Sequence, residues 1–201
     1  MKTVILCGGK GTRLGEETKT IPKPMVKIGH MPILLHIIKT YKFYGHKEFY
    51  IALGYKGEII RKFFKKKYPN IEINLINTGK NTMTGGRLLR LKNIFKKNEN
   101  FMMTYGDGLT NQNIKKLESF HLQHKKIATM TIVRPPVRFG EVKLRKNKIV
   151  EFKEKPQSQT GWINGGYFVL NSKIFEYLKG DKEMFERAPL DKISKKGQLM
   201  A

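Results

Sequence analysis

Apolar residues change their spacing from one segment of this chain to the next, and the spacing predicts its elements. A continuous apolar run at residues 3–7 ends in a glycine pair, which is typical of a strand buried on both faces of a parallel sheet. From Pro32 to Tyr44 apolar residues recur every three or four positions, with Pro32 suited to a first helical position and Gly45 to a stop. This second segment is predicted to be an amphipathic helix.

Strand and helix patterns alternate up to about residue 125 and then change. The predicted strands are 48–53, 71–76 and 101–105, and the predicted helices are 58–67, 87–95 and 114–124. The later patterns are mostly strands, at 128–133, 141–144, 149–152 and 166–170. The alternation predicts right-handed βαβ units and the later strands an antiparallel or mixed extension. We therefore predict an α/β fold with a Rossmann-like mixed, mostly parallel sheet flanked by helices.

Composition fits a folded chain of single-domain size. The chain has 201 residues, of which 39% are apolar, so we expect one compact domain over 1–201. It has one cysteine, which excludes an internal disulfide, no charged-then-apolar leader, and no long apolar run. We predict from this a cytoplasmic protein without a membrane partner.

The net charge of +24, from 40 Lys and Arg against 16 Asp and Glu, raises the question of nucleic-acid binding. Much of the charge lies in short lysine clusters such as Lys65-Lys66-Lys67, near the ends of predicted helices. Lysine there suits the negative end of the helix dipole and keeps the surface solvated. The sequence has no base-stacking aromatic motif beside these lysines, so we predict no nucleic-acid partner.

A glycine loop follows the first predicted strand, at the sheet edge where open α/β folds bind ligands. Glycine lets backbone N–H groups approach an anion closely. The spacing misses G-x-G-x-x-G by one residue, and no Walker motif occurs in the chain. The loop carries Arg13, and Lys23 follows between Pro22 and Pro24, which fix the backbone around it. The arrangement favours a phosphate ligand, with an ordinary exposed turn as the alternative.

These stretches resemble a known family. "LCGGKGTRL" and "PKPM" are similar to the signatures of sugar-1-phosphate nucleotidyltransferases, and "NTGKNTMTGGRL", "TYGDG", "EFKEKP" and "WINGGYFVL" follow in the family's order. The "TMTGGR" and "WINGG" variants resemble the cytidylyltransferase branch. The resemblance implies the nucleotide-diphospho-sugar transferase fold and a reaction of CTP with glucose 1-phosphate that releases pyrophosphate, feeding deoxysugar synthesis for surface polysaccharide.

The resemblance also implies roles for individual residues. Arg13, Lys23, Asp107 and Lys155 are the expected catalytic residues, and Asp107 is the expected ligand of a Mg²⁺ cofactor. The sugar phosphate is expected at Glu154, Lys155 and Asn164. The expected nucleotide-binding residues are Leu6, Cys7, Gly8, Gly9, Lys10, Gly11, Thr12, Arg13, Lys23, Thr82, Arg87 and Gly106.

Two departures from the family affect these expectations. Family members continue beyond "GQLMA" into a segment whose aspartate is a second Mg²⁺ ligand, so we expect that the C-terminal part of the family domain is missing here. The spacing before "NTGKNTMTGGR" is also shorter than in relatives, which leaves a homo-oligomer open as a partner arrangement. The alternatives at this point are UTP or dTTP as the nucleotide, and a nucleotide-binding fragment with impaired catalysis.

Overall fold

Eleven strands lie in the part of the chain that the computed structural model describes, which is residues 1–11, 20–68, 72–135, 141–153 and 161–201. The strands are β1 (Thr3–Cys7), β2 (Lys27–Ile28), β3 (Met31–Pro32), β4 (Phe49–Leu53), β5 (Ile73–Asn77), β6 (Asn100–Tyr105), β7 (Ala128–Val133), β8 (Glu141–Arg145), β9 (Lys148–Lys153), β10 (Ile163–Asn171) and β11 (Leu199–Met200). Seven of them form one sheet in the order β11-β7-β10-β6-β1-β4-β5, and β2-β3 and β8-β9 form two separate hairpins.

The sheet is parallel through its centre and mixed on one side. Strands β6, β1, β4 and β5 are parallel neighbours, whereas β10 runs antiparallel to both β6 and β7. The register places Cys7 opposite Leu53 and Leu53 opposite Asn77, so β1, β4 and β5 end at one level. The predicted fold class, including the mixed extension after residue 125, is confirmed.

Five α-helices connect these strands among the described residues. They are α1 (Ile33–Phe43), α2 (Gly57–Lys67), α3 (Thr84–Leu89), α4 (Ile114–His124) and α5 (Ala188–Lys195), and short 3-10 helices cover Lys23–Met25, Lys92–Ile94 and Ser172–Tyr177. Within the described residues, none of the helices has the length and apolar character needed to span a bilayer.

The hydrophobic core is divided between the two faces of the sheet. Alternate residues of β1 point to opposite faces: Val4 and Leu6 join the cluster that includes α3 and α5, and Ile5 and Cys7 join the one that includes α1, α2 and the first residue of α4. Each fully buried Leu or Ile contributes roughly 1.5–3 kcal/mol. A strand buried on both faces therefore fixes the start of the glycine loop firmly.

Three of the differences between the structure and the sequence predictions concern helices. The helix predicted over 87–95 begins earlier, at Thr84, and ends at Leu89, because backbone N–H groups at its start donate to carbonyls of the distant segment 181–186. Pro32 precedes α1 instead of occupying its first position, since its extended backbone pairs in β3. Helix α5 was not predicted, because only two apolar positions of this eight-residue helix carry the helical spacing.

Candidate active site

The carboxyl ends of β1, β4, β5 and β6 meet at one edge of the sheet, which we call the carboxyl edge. Because β10 is antiparallel to β6, its first residues lie at this edge as well. The glycine loop, the segment leading into α3, the Gly106-Asp107 turn and Asn164 all follow or begin strands there. The structure thus brings predicted site residues from four separate sequence motifs to one edge.

Lys23 and Asp107 meet directly at this edge. The Lys23 Nζ atom donates to Asp107 Oδ2, although 84 residues separate them in the chain. Lys23 begins a 3-10 helix whose next two residues, Pro24 and Met25, are buried and fix its backbone. Both side chains keep about a third of their surface exposed, 29% for Lys23 and 34% for Asp107. The cation and the carboxylate are therefore paired and still accessible to a ligand.

The end of β1 presents its backbone to the edge. The side chains of Leu6 and Cys7 are buried in opposite faces of the sheet, and burial raises the pKa of the Cys7 thiol far above its usual range. The Leu6 carbonyl accepts a hydrogen bond of 3.0 Å from the backbone N–H of Gly106. Since Cys7 is neutral and packed, a ligand at this edge reaches these residues through main-chain atoms.

Arg87 lies beneath the glycine loop and not on its outer side. Its guanidinium is buried, with 3% of the residue exposed, and donates to the carbonyl of Gly8 at 2.8 Å and that of Gly79 at 2.7 Å. A third acceptor is the hydroxyl of Thr78, at 2.9 Å. A Cβ atom on Gly8 would lie 2.1 Å from this guanidinium, so glycine is required there for Arg87 to fit.

The contacts make Arg87 a support of the loop backbone, and its predicted direct contact with the nucleotide stays a prediction. Burial lowers its pKa, because the charged form has lost water. Thr82 is buried nearby, and its predicted nucleotide contact also stays a prediction. Gly9 and Lys10 are exposed on the outer side of the loop, and Gly11 is half-buried. Four predicted site residues lie outside the described residues: Thr12, Arg13, Glu154 and Lys155.

A carboxylate at the same edge was missed by the sequence analysis. Glu186 Oε1 accepts from the Tyr105 hydroxyl at 2.6 Å, and its Oε2 accepts from the Thr84 hydroxyl at 2.6 Å. Burial, followed by the negative charge of Glu186, raises the pKa of Tyr105 far above its usual range. The partners lie 81 and 102 residues before Glu186, so no local pattern indicated the contact. Only the motifs "TYGDG" and "TMTGGR", which contain Tyr105 and Thr84, were visible in the sequence.

The glycines of "WINGG" form an irregular stretch of β10. The pairing of β10 with β7 shifts register between Asn164 and Phe168, and Gly166 has a φ of +82°. A Cβ atom on Gly166 would lie 3.1 Å from the Tyr105 ring. Its N–H donates to Asn164 Oδ1 at 2.7 Å. The irregularity, like other bulges beside active sites, sets the direction in which Asn164 points.

Asp107 suits a divalent cation whose coordination is completed by a substrate and water. Among the described residues, no group of three or more His, Cys, Asp or Glu could hold a metal ion together. Mg²⁺ is commonly bound by one or two carboxylates together with substrate phosphates and water. The partly exposed carboxylate of Asp107, two residues after the end of β6, fits this mode, and it does not fit a cage made only of protein ligands.

Comparisons with known proteins agree with this geometry. The family model described as nucleotidyl transferase matches residues 2–196. The chain is 41% identical to the glucose-1-phosphate cytidylyltransferase of Salmonella typhimurium, over 100% of this chain and 87% of that relative. It is 42% identical to the probable glucose-1-phosphate cytidylyltransferase of Bacillus subtilis, over 99% and 86%. The alignment with the Salmonella protein spans 223 positions, more than the 201 residues here, so that relative has residues without a counterpart in this chain.

Solved structures give the same picture of the fold. The chain superposes on HddC from Yersinia pseudotuberculosis complexed with GMP-PN with a TM-score of 0.73 at 29% identity, covering 95% of this chain and 85% of that one. A UDP-glucose pyrophosphorylase complexed with UDP-glucose matches with a TM-score of 0.70 at 19% identity, over 96% and 87%. The second likeness concerns the fold alone.

Proposed function

The chain belongs to the nucleotidyl transferase family, and from this premise we propose that it transfers the cytidylyl group of CTP to α-D-glucose 1-phosphate. The products are CDP-glucose and pyrophosphate. The observation that carries the proposal is the meeting of Lys23 and Asp107 beside the glycine loop. The choice of CTP and glucose 1-phosphate draws on the names of the relatives that are 41% and 42% identical.

The reaction needs positioning and charge neutralisation more than acid–base chemistry. A phosphate oxygen of the sugar phosphate attacks the α-phosphorus of CTP, and the bond from that phosphorus to the oxygen bridging to the β-phosphate breaks. The attacking oxygen is already ionised at neutral pH, so no general base is required. The main obstacle is the approach of two polyanions.

In the proposed mechanism Lys23 and Arg13 neutralise the nucleotide phosphates, and Lys155 neutralises the sugar phosphate. Lys23 changes partner from Asp107 to a phosphate oxygen when the nucleotide enters. The Gly8–Gly11 backbone, supported from beneath by Arg87, holds the nucleotide next to these cations. Asp107 is the proposed ligand of Mg²⁺, which when bound draws negative charge from the phosphate oxygens.

The remaining roles concern recognition of base and sugar. Thr82 lies where the chain leaves β5 and approaches α3, beside the loop, and is proposed to contact the cytosine. Glu154 and Asn164 are proposed to contact the sugar phosphate. The proposed unit is a single nucleotidyltransferase domain over 1–201, acting in the cytoplasm without nucleic acid or membrane. A homo-oligomer and a role in surface polysaccharide synthesis stay predictions.

The decisive experiment is pyrophosphate release by the purified chain with Mg²⁺ and glucose 1-phosphate. CTP, UTP, dTTP, GTP and ATP are tested separately, with calorimetric CTP binding measured in parallel. We expect turnover with CTP that is lost in Lys23→Ala and retained in Lys27→Ala, a nearby exposed lysine in β2. Turnover only with another nucleotide would reassign the base. CTP binding without turnover would favour the alternative of a catalytically impaired binding domain, and silence in both assays would remove the site assignment.

A further inference from the structure

We propose that Glu186 is a positioning residue for the sugar-phosphate side of the site, because it fixes the direction of a hydrogen-bond chain that runs through Tyr105 to Asn164. The inference rests on the proposed function in one respect, namely that Asn164 contacts the sugar phosphate. The hydrogen-bond chain is made by atoms of this protein and does not depend on that assignment.

The carboxylate of Glu186 is held between two elements of the site. One oxygen accepts from the hydroxyl of Tyr105, the last residue of β6, and the other accepts from the hydroxyl of Thr84, the first residue of α3, both at 2.6 Å. Thr84 Oγ1 in turn accepts from the backbone N–H of Phe185 at 2.9 Å. Both carboxylate oxygens have internal partners, and we assign Glu186 an action on the ligand through these residues.

The direction of donation along this hydrogen-bond chain follows from the number of protons that its side chains carry. A carboxylate only accepts, so the single hydroxyl proton of Tyr105 is committed to Glu186. The Tyr105 oxygen can then only accept, and the side chain of Asn164 is the donor beside it. The amide oxygen of Asn164 is already taken by the Gly166 N–H at 2.7 Å. Both ends of the amide are therefore oriented by neighbours.

This orientation determines what Asn164 offers at the carboxyl edge. Its NH₂ group has two hydrogens, and with one given to Tyr105 the second is left to donate at the exposed end of β10. A donor is what a phosphate oxygen or a sugar hydroxyl oxygen requires. If Tyr105 donated to Asn164 instead, the amide would turn and present its oxygen, which repels a phosphate. The acceptor-only character of Glu186 prevents this reversal.

The backbone around Glu186 supports this role. In segment 181–186, the carbonyl of Asp181 accepts from the N–H of Met83 at 2.7 Å, and the carbonyl of Glu183 accepts from the N–H of Gly85 at 3.0 Å. These bonds anchor the segment to the start of α3, the helix whose Arg87 supports the glycine loop. Glu186 thereby links the "TMTGGR" motif on the nucleotide side to the "WINGG" motif on the sugar side.

The test compares Glu186→Gln and Tyr105→Phe with Glu183→Gln, a matched change in the same segment whose side chain bonds only the backbone N–H of Lys179 among the contacts described. In steady-state kinetics we expect the first two variants to raise the KM for glucose 1-phosphate about tenfold, with the KM for CTP unchanged and kcat within about threefold. Glu183→Gln is expected to behave as the wild type. A general loss of folding would instead lower the apparent kcat and leave both KM values unchanged, because it reduces the fraction of active enzyme.

A second measurement does not depend on turnover. The side-chain NH₂ of Asn164, assigned by its loss in Asn164→Asp, is observed by ¹⁵N NMR in the wild type and in the two variants. Shifted Asn164 signals together with a selective rise in the glucose 1-phosphate KM support the proposal. Unshifted signals, or KM values for both substrates that rise together, overturn it. If the wild type turns over no nucleotide, the proposed function fails, and the NMR signals alone decide whether Glu186 orients Asn164.

Discussion

Two polar networks lie at opposite edges of the same sheet, and they differ in whether they are closed. At the amino edge, where β6 and β7 begin, the hydroxyl of Thr129 lies 2.9 Å from His121 Nδ1 and 2.7 Å from His124 Nε2. The backbone N–H of Lys126 donates to His124 Nδ1 at 2.9 Å, and His121 Nε2 lies 3.4 Å from Asn100 Oδ1. The four ring nitrogens are all satisfied with both histidines neutral when each ring carries its proton on Nε2. His124 then donates to Thr129, Thr129 donates to His121 Nδ1, and His121 donates to Asn100.

The network at the carboxyl edge is open. It ends at the partly exposed Lys23 and Asp107 and at the exposed amide of Asn164, groups that can exchange their present partners for a ligand. The comparison teaches that polar groups alone do not identify a functional site. A closed network fixes the fold, as the histidine pair does, whereas an open one retains charges and donors that a substrate can use. The i, i+3 histidines, which could suggest a metal site, belong to the first kind.

The largest effect is expected at the open edge, from Asp107→Asn. Catalysis is expected to fall about 10³-fold, because the variant removes the proposed Mg²⁺ ligand and the partner of Lys23. The free energy of unfolding is expected to change by less than about 1 kcal/mol, since the ion pair is partly exposed. Pyrophosphate release and urea unfolding measure the two quantities, with Asp191→Asn as the control for losing an exposed, paired carboxylate. A loss of stability large enough to explain the loss of pyrophosphate release would show that this pair serves the fold and not catalysis.

Arg87→Met tests a residue that shares features of both networks. All the contacts given above for Arg87 are internal, but it lies under the loop at the open edge. We expect the free energy of unfolding to fall by about 3 kcal/mol, since the carbonyls of Gly8 and Gly79 lose a buried, charged donor. Urea unfolding provides the measurement. Arg90→Met, three residues on, removes an exposed ion pair with Asp181 and is expected to shift the midpoint far less. An unchanged midpoint in Arg87→Met would contradict the supporting role.

The closed network predicts a pH dependence of stability. Burial, followed by the charge of His124, lowers the pKa of His121 from 6.5 to about 4. The unfolded chain therefore takes up a proton at higher pH than the folded protein, so stability is full above about pH 6.5 and falls as the pH decreases toward 4. We expect His121 to account for a loss of about 2 kcal/mol between pH 7.5 and 4.5.

The measurement is urea unfolding at both pH values in the wild type, in His121→Gln and in His30→Gln, an exposed histidine. Only His121→Gln is expected to flatten the pH dependence. Acid also increases the repulsion within a chain of net charge +24. This contribution to the pH dependence is also present in the His30→Gln control, so the comparison separates it from the effect of His121. The same slope in all three proteins would mean that His121 does not carry the effect.

The sequence predicted what depends on local pattern and on recognisable motifs. The run ending at Gly8 predicted β1, and the apolar spacing gave α4 its observed bounds. Lys23 was singled out by its flanking prolines and Asp107 by a resemblance, and their contact was not predicted, because neither spacing nor propensity relates residues 84 positions apart. Glu186 was missed for the same reason, because its partners are distant in the chain. The residues around it show no helical or strand periodicity that would have pointed to it. The supporting position of Arg87 is a tertiary contact that a motif cannot describe.

The smallest effect is expected away from both edges, at the exposed pair of Lys195 with Asp191 on α5. The Nζ–Oδ2 distance is 2.8 Å, and the side chains are 75% and 57% exposed. Water screens such a pair, so Lys195→Ala is expected to change the free energy of unfolding by about 0.3 kcal/mol and to leave turnover unchanged. Urea unfolding at low and high salt measures it. A change above about 1 kcal/mol would show that exposed pairs also stabilise this protein strongly, and the small cost expected for breaking the Lys23–Asp107 pair would then lose its basis.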